Sequence, residues 1–594
     1  PRAPQQLGPS AGGRGEEGRL SRAWCQPSGA LAAMYAAWRG RATGPLTAYV
    51  MVEEAPLAQP CVHDDDDEDD DELGAAFGFD ADGGLGHPCR LLGGKAWMQH
   101  RRMAGFALVA TVVMGVVASA SLRSLARDSP ELPGEGVWSV GLGRPRYTVE
   151  AEEQSVNPYA FYLFYQSPLK KAKFASSIAS STGIVRKRLE TMRDVATAVW
   201  VDRKAMIRGS GSSSLEGVLE DASWKVTAEL VTLVMHNLPN RDCSSKAPRG
   251  ELCCARAADG SCDLDAQAGG CEGALREYRE DYVDPLVQVL QRYKGAVPVV
   301  VILEPGAVPN LVANGKSQRC GGAATSSAYR EGLRYAAEQL AEKTPWVTIY
   351  LDAAHGGLLG WHGLTVRYLL ALKDMRLPLR KIRGFATNVA NYRPLGKAVC
   401  PWVPSNGSNA YCLNGGAGDP CCEDPCGLLE RGNPANSELN YAQELVRNAK
   451  NLLQMDAHVL TDSSRNGQAG LRSACGGGCN VRQAGAGRAS TAKVHSSAEP
   501  FIDAYFWIKT PGESDGCARL LPSGEECLRY DERCASEDSL GSRPDEARAP
   551  QAGQWFDSQA KQLALLADLG LDEEAQALLS MRKQEQDVQN ADWR

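Results

Sequence analysis

Seven short apolar runs in this chain each end in side chains able to do acid–base work or to bind hydroxyl groups. Asp202 follows Ala198–Val201, and Asn240, Arg241, Asp242 and Cys243 follow Leu230–Met235. Glu304-Pro305-Gly306 follows Val297–Leu303, and Asp352 and His355 follow Val347–Leu351. Asn388, Asn391 and Tyr392 come after Ile382–Ala386; Asp462 and Arg465 come after His458–Thr461; Lys509, Glu513 and Asp515 come after Ala504–Ile508. Caps and turns use up part of any such set. Here almost every run carries an acid, an amide or a base. Carboxylates and amides bind hydroxyls, and aromatic faces stack on sugar rings, so the set suits a neutral polyhydroxylated ligand. Phosphorylated ligands fit poorly, because Gly321-Gly322 and Gly476-Gly477-Gly478 lack the spacing of a phosphate loop.

The elements that must position these residues follow from the pattern between them. Helical periodicity, as in Ala172–Thr197 and Glu280–Tyr293, alternates with the apolar runs. Alternation of this kind predicts a parallel βα barrel or a doubly wound sheet, not an all-β fold. In a barrel the residues after each run converge on one mouth, at the C-terminal ends of the strands.

The rest of the chain bounds the function. A net charge of −8 gives no electrostatic case for nucleic acid. Much of that charge is the unbroken acidic run Asp64–Glu72, which reads as a solvated tract within a disordered region 1–97. Met103–Leu122 holds twenty residues without a charge, behind His100, Arg101 and Arg102. Within 98–124 it reads either as a type II signal-anchor or, from a start at Met98 with Ala118-Ser119-Ala120 as its end, as a signal peptide. Either way the remainder faces the lumen or the exterior. A stalk over 125–153, a catalytic domain over 154–572 and a polar tail over 573–594 complete the expected order. Of nineteen cysteines, only Cys25, Cys61 and Cys89 precede residue 100, and no zinc-type Cys/His spacing appears. The sixteen others predict disulfides in an oxidising compartment, with no metal and no cofactor.

The strand-end stretches LPNRDC (Leu238–Cys243), ILEPGAVPNLV (Ile302–Val312) and YLDAAHGGLLGW (Tyr350–Trp361) resemble glycoside hydrolase family 6. RGFATNVANY, TDSSRNGQ, FWIKTPGESDG and AGQWF extend the resemblance in the family's order. It implies a distorted seven-stranded parallel β/α barrel that hydrolyses 1,4-β-glucan with inversion. An acid then protonates the leaving oxygen while a base or water relay serves the opposite face of the ring. By resemblance Asp242 assists the acid, Asp515 is the base or charge stabiliser, and Asp352 helps to organise the site. Trp200, Asp202, His355, Trp361, Asn388, Asn391, Lys509 and Glu513 match substrate-binding positions. Cys243 with Cys320, and Cys479 with Cys534, match the family's two bridges.

Several positions depart from the family. Its proton donor follows Glu-Pro, and here that position is Gly306, which has no proton to give. A Tyr has become His236, and Trp positions have become Leu358 and Gly478. Three accounts follow: a glucan binder that does not cleave; an enzyme in which Glu304, His236, Asp242 or a loop acid substitutes; or an enzyme for a different β-glucan or a better leaving group. The Cys-rich stretch Ala398–Asn436, with a glycosylation sequon at Asn406, is expected to form an ordered lid or rim. The partners expected are thus β-glucan and, through Met103–Leu122, a membrane, for a monomer in the secretory pathway.

Overall fold

Branched apolar residues at consecutive positions make strands that are buried on both faces, as parallel sheets require. The computed structural model describes residues 156–571, apart from 246–249, 259, 267–269, 404–406, 472–474, 476–477 and 528–529. Its strands are β1 (Leu163–Phe164), β2 (Val199–Val201), β3 (Glu229–Met235), β4 (Val299–Leu303), β5 (Thr348–Asp352), β6 (Gly384–Thr387), β7 (His458–Asp462) and β8 (Ile502–Phe506). β2 to β8 are the seven apolar runs, the last set two residues earlier than its run. The two-residue β1, which pairs with the start of β3, has no sequence signal of its own.

All the pairings are parallel, in the order β2-β3-β4-β5-β6-β7-β8. The sheet curls until its two edges meet at one bridge, Thr197 with Trp507, where Ala198 N–H donates to the Trp507 carbonyl at 3.0 Å. Alternate residues divide the core into two. Val231, Leu233 and Met235 of β3, and Val299, Val301 and Leu303 of β4, pack under the surrounding helices. Leu230, Val234, Val300, Ile302 and Tyr350 fill the interior with Leu460, Ala504 and Phe506. Near the strand starts Asp503 is a buried ionic plug. It accepts from Arg383 Nε and Nη2, at 2.8 and 2.7 Å, and from the Tyr350 hydroxyl at 2.5 Å.

Two helical expectations change. Ala172–Thr197 is not one helix but three, Pro168–Lys173, Ala175–Ala179 and Gly183–Arg193, broken where Gly183 takes a φ of 58°. The second helix starts earlier, at Glu272, and carries a wide π-type turn over Tyr278–Val283 before Asp284–Arg292. That turn stacks the Tyr278 and Tyr282 rings, 5.5 Å apart, and both reach the strand ends.

The described cysteines form eight bridges, including Cys243–Cys320 and Cys479–Cys534. Within 398–436 the pairs are Cys400–Cys421 and Cys412–Cys422, whose four sulfurs lie within 4.8 Å of one another. Cys426–Cys475 ties this segment to the next loop. Asn436 and Asn440 fix it through the Cys421 carbonyl, at 2.8 and 3.0 Å. Among the described residues no helix is long and apolar enough to cross a membrane. The 1–97 tract, Met103–Leu122, the stalk, the Asn406 sequon and the tail 573–594 lie outside the described residues.

Candidate active site

Each strand ends by turning sharply, and the turns set the site. Asn240, Asp242, Glu304, Ala354, Asn388 and Ala390 all have positive φ, between 47° and 58°, although none is glycine. Left-handed backbone at non-glycine residues costs about 1–3 kcal/mol each and persists only where surrounding contacts enforce it. Those contacts are visible. Glu304 accepts from the Asn237 N–H at 3.0 Å, the Leu238 N–H at 3.2 Å and the Tyr278 hydroxyl at 2.8 Å, and so clamps the turn after β3. Burial pushes its carboxyl up to about 7. Asp462 does the same for the turn after β6, taking the Ala390 N–H at 2.9 Å. Asn388 is fully buried. Its amide donates to the Asp462 carbonyl at 2.8 Å and its oxygen accepts from the Arg393 N–H at 3.1 Å, so it orders the turn that carries Asn391.

Beside β2, the Trp200 indole N–H donates to the Ile508 carbonyl at 2.8 Å, and its ring meets His236 edge-on. Arg241 donates to His236 Nδ1 at 2.8 Å, which leaves the proton on Nε2, 3.9 Å from an Asp242 oxygen. Burial first, then Arg241, pull the imidazole down to about 4, so it is neutral at pH 7. Asp202 is also drawn in: burial raises its pKa, but Arg241 and Arg203 outweigh that and keep it ionised.

Across the mouth, Asp515 accepts from Tyr392, from Arg465 at 2.6 Å and from the Asn480 N–H at 2.9 Å. Burial works against its charge, but Arg465 and Lys509 overcome it and hold the carboxyl low. Glu513 is nearly buried, and its Oε1 receives two ammonium groups, Lys170 at 2.6 Å and Lys173 at 2.7 Å. Burial opposes that charge too, yet the lysines bring its carboxyl down to about 2. Lys509 donates to the Ser514 carbonyl at 3.3 Å.

Between these flanks, Asp352 ends β5 and accepts from the Gly306 N–H at 2.8 Å. Gly306 stands at φ 79° and caps the helix Ala307–Ala313. His355, buried three residues on, caps Gly356–Leu359 and is driven to about 3 by burial and then Arg393. The half-buried Trp361 starts the helix His362–Asp374. The acids, amides and aromatics of seven strand ends therefore share one face.

The sequence profile described as Glycosyl hydrolases family 6 matches residues 157–567. The chain belongs to that family. Exoglucanase 3 of Agaricus bisporus is 31% identical over 420 residues, spanning 70% of this chain and 80% of that one. A probable 1,4-beta-D-glucan cellobiohydrolase C of Neosartorya fischeri is 30% identical over 416 residues, spanning 69% and 78%. In three dimensions the chain is similar to the CcCel6A catalytic domain, solved with p-nitrophenyl beta-D-cellotrioside, at 29% identity and a TM-score of 0.54. That likeness covers 69% of this chain and 98% of the other.

Within the family 6 frame, sequence reasoning missed Lys170 and Lys173. They come from the first helix of the domain, more than 300 residues from their partner, and spacing gave no sign of the pairing. Tyr392 and Arg465 stood in the motif stretches, but their shared grip on Asp515 had no signature. Asp352 was placed at the site, and its bond to the backbone of Gly306 was not foreseen.

Proposed function

We propose that this chain hydrolyses 1,4-β-glucan with inversion, from a cleft across the C-terminal ends of the strands. The arrangement that supports this best is the pairing of Asp242 and Asp515 on opposite flanks of one mouth, with Asp352 between them, in a family 6 chain. Trp200 offers a stacking face, while Asp202, His355, Trp361, Asn391, Lys509 and Glu513 line hydroxyl-binding positions, with Asn388 acting through its turn. Asp515, fixed by Arg465 and Tyr392, is an anion set to stabilise positive charge at the anomeric carbon or to orient the attacking water.

Gly306 at the donor position makes the chain a slow enzyme on natural glucan. General acid catalysis contributes about 10²–10⁴-fold, so its weakening lowers turnover without abolishing it. The same glycine favours a second reading, a β-glucan-binding or remodelling protein that does not cleave. Eight bridges support a secretory setting. There Met103–Leu122 would serve as anchor or signal for a monomeric catalytic domain. The test is to incubate the purified full chain with cellohexaose and with 2,4-dinitrophenyl cellobioside, whose leaving group needs no proton. Fast release of dinitrophenol with slow cellohexaose cleavage is expected. Cleavage of neither, with cellohexaose still bound, would establish the second reading.

A further inference from the structure

One flank of the mouth holds more positive charge than its own acids answer. Asp515 is taken by Arg465 at 2.6 Å, and Asp202 by Arg203 at 3.0 Å, with Arg241 at 3.8 Å. Beside them stand three lysines with one acid left to share. Glu513 Oε1 already receives both Lys170, at 2.6 Å, and Lys173, at 2.7 Å, while Lys509 reaches the Ser514 carbonyl at 3.3 Å. Lys509 is repelled by Arg465 and Lys170, and Lys170 by Lys173. Burial lowers the pKa of both Lys170 and Lys509, as expected for ammonium groups drawn out of water. Crowding partly buried cations is unfavourable unless an opposite charge answers them. Pinning the helix Pro168–Lys173 to the turn after β8 needs only one of these lysines.

The surplus lies where a sugar ring would rest. The Trp200 indole is tied to the Ile508 carbonyl at 2.8 Å, directly before Lys509. Lys170 is close enough to Asp202, two residues past Trp200, to feel its charge. The stacking face is therefore bordered by ammonium groups from two elements. The Lys170 and Lys173 side chains remain 15% and 26% exposed, so an incoming anion can touch them. The surplus is local, because the whole chain carries a net charge of −8 and would repel an anionic polymer elsewhere. Hydroxyl groups of a neutral ring cannot balance it. A carboxylate on the ring can, since it repeats the contact that Glu513 makes with the same lysines.

We propose that the position on Trp200 takes a sugar bearing a carboxylate, a glucuronosyl unit within a 1,4-β-linked glucan, with Lys170, Lys173 and Lys509 as its counter-charges. This deepens the glucan reading above and rests on it. It holds whether or not the bound chain is cleaved.

The experiment measures binding to the full chain by calorimetry, with cellohexaose and with a set of cellohexaoses each oxidised to a carboxylate at C6 of one ring. Expected is a gain of about tenfold in affinity for the carboxylate at one ring position, shrinking as salt is raised. Lys173→Gln, which leaves Lys170 on Glu513, should remove most of that gain while neutral cellohexaose binds within about twofold of wild type. Lys173→Arg, which keeps the charge, should retain the gain; a purely structural lysine would not separate the two ligands in this way. Equal affinity for neutral and carboxylated chains, a gain that is the same at every ring, or a gain untouched by Lys173→Gln overturns the proposal while the glucan reading stands. Binding of none of these chains by the wild type overturns both.

Discussion

Glu513 is held by two ammonium groups that arrive from the opposite end of the domain, and it shows how much of a site lies beyond sequence patterns. The motif around it, FWIKTPGESDG, was legible because neighbouring residues do neighbouring jobs. Lys170 and Lys173 were not, because a surface-looking i,i+3 lysine pair gives no hint of what folds against it. Gly306 was legible as a departure, but its φ of 79° was not. That angle bears on the simplest repair. Gly306→Asp would restore a carboxyl at the family's donor position and should raise the cellohexaose rate by at least about tenfold, against a general-acid contribution of about 10²–10⁴. It should also lose about 1 kcal/mol of stability, since a left-handed conformation is unfavourable for any residue with a Cβ. Parallel kinetics and urea unfolding check both. No gain in rate would mean that the cleft differs from its relatives by more than this residue.

At the scale of elements, the strands were readable and the loops only partly so. Runs such as Val297–Leu303 are apolar throughout, and that marks strands covered on both sides. The π-type turn at Tyr278 depends on what Tyr278 and Tyr282 reach, the Glu304 carboxyl and the Val201 carbonyl, which no local pattern encodes. The segment 398–436 was readable as bridged, yet its cysteine partners were not. The Cys426–Cys475 bridge closes a 49-residue separation and joins this segment to the loop before Cys479. Replacing both cysteines with serine should destabilise the protein by about 2–4 kcal/mol in the loop-entropy account. It should also make the chain around residues 423–432 the first site of limited proteolysis. Cleavage patterns read by mass spectrometry test this, and a pattern like that of wild type would show that Asn436 and Asn440 suffice to hold the segment.

For the molecule as a whole, buried ionisable groups fix a pH signature. Glu304, Asp352 and Glu438 each hold a proton up to about 7 when folded, against about 4 for free carboxyls. His236 and His355 work the other way, releasing theirs at about 4 and about 3. Near pH 5.5 the folded chain therefore keeps three carboxyl protons that the unfolded chain lacks, while the unfolded chain keeps two imidazole protons. The folded state binds the net excess, so stability falls gently as pH rises. Above about 6.5 the unfolded imidazoles have also lost their protons. The carboxyls then act alone, and the fall steepens until they have titrated. Thermal unfolding should give a higher Tm at pH 5.5 than at pH 7.5, with most of the drop above 6.5. A Tm that climbs across that interval would contradict this balance.

The junction between β2 and β8 has a mechanical consequence. Elsewhere neighbouring strands are joined by ladders, but here the cylinder is fastened by the Thr197–Trp507 bridge and a few cross-links, such as Trp200 to the Ile508 carbonyl at 2.8 Å. This meridian is the most compliant part of the wall, and it runs up between Asp202 and Lys509. A polymer chain lying across both would act as a splint, stiffening the barrel along the line where its own fabric is thinnest.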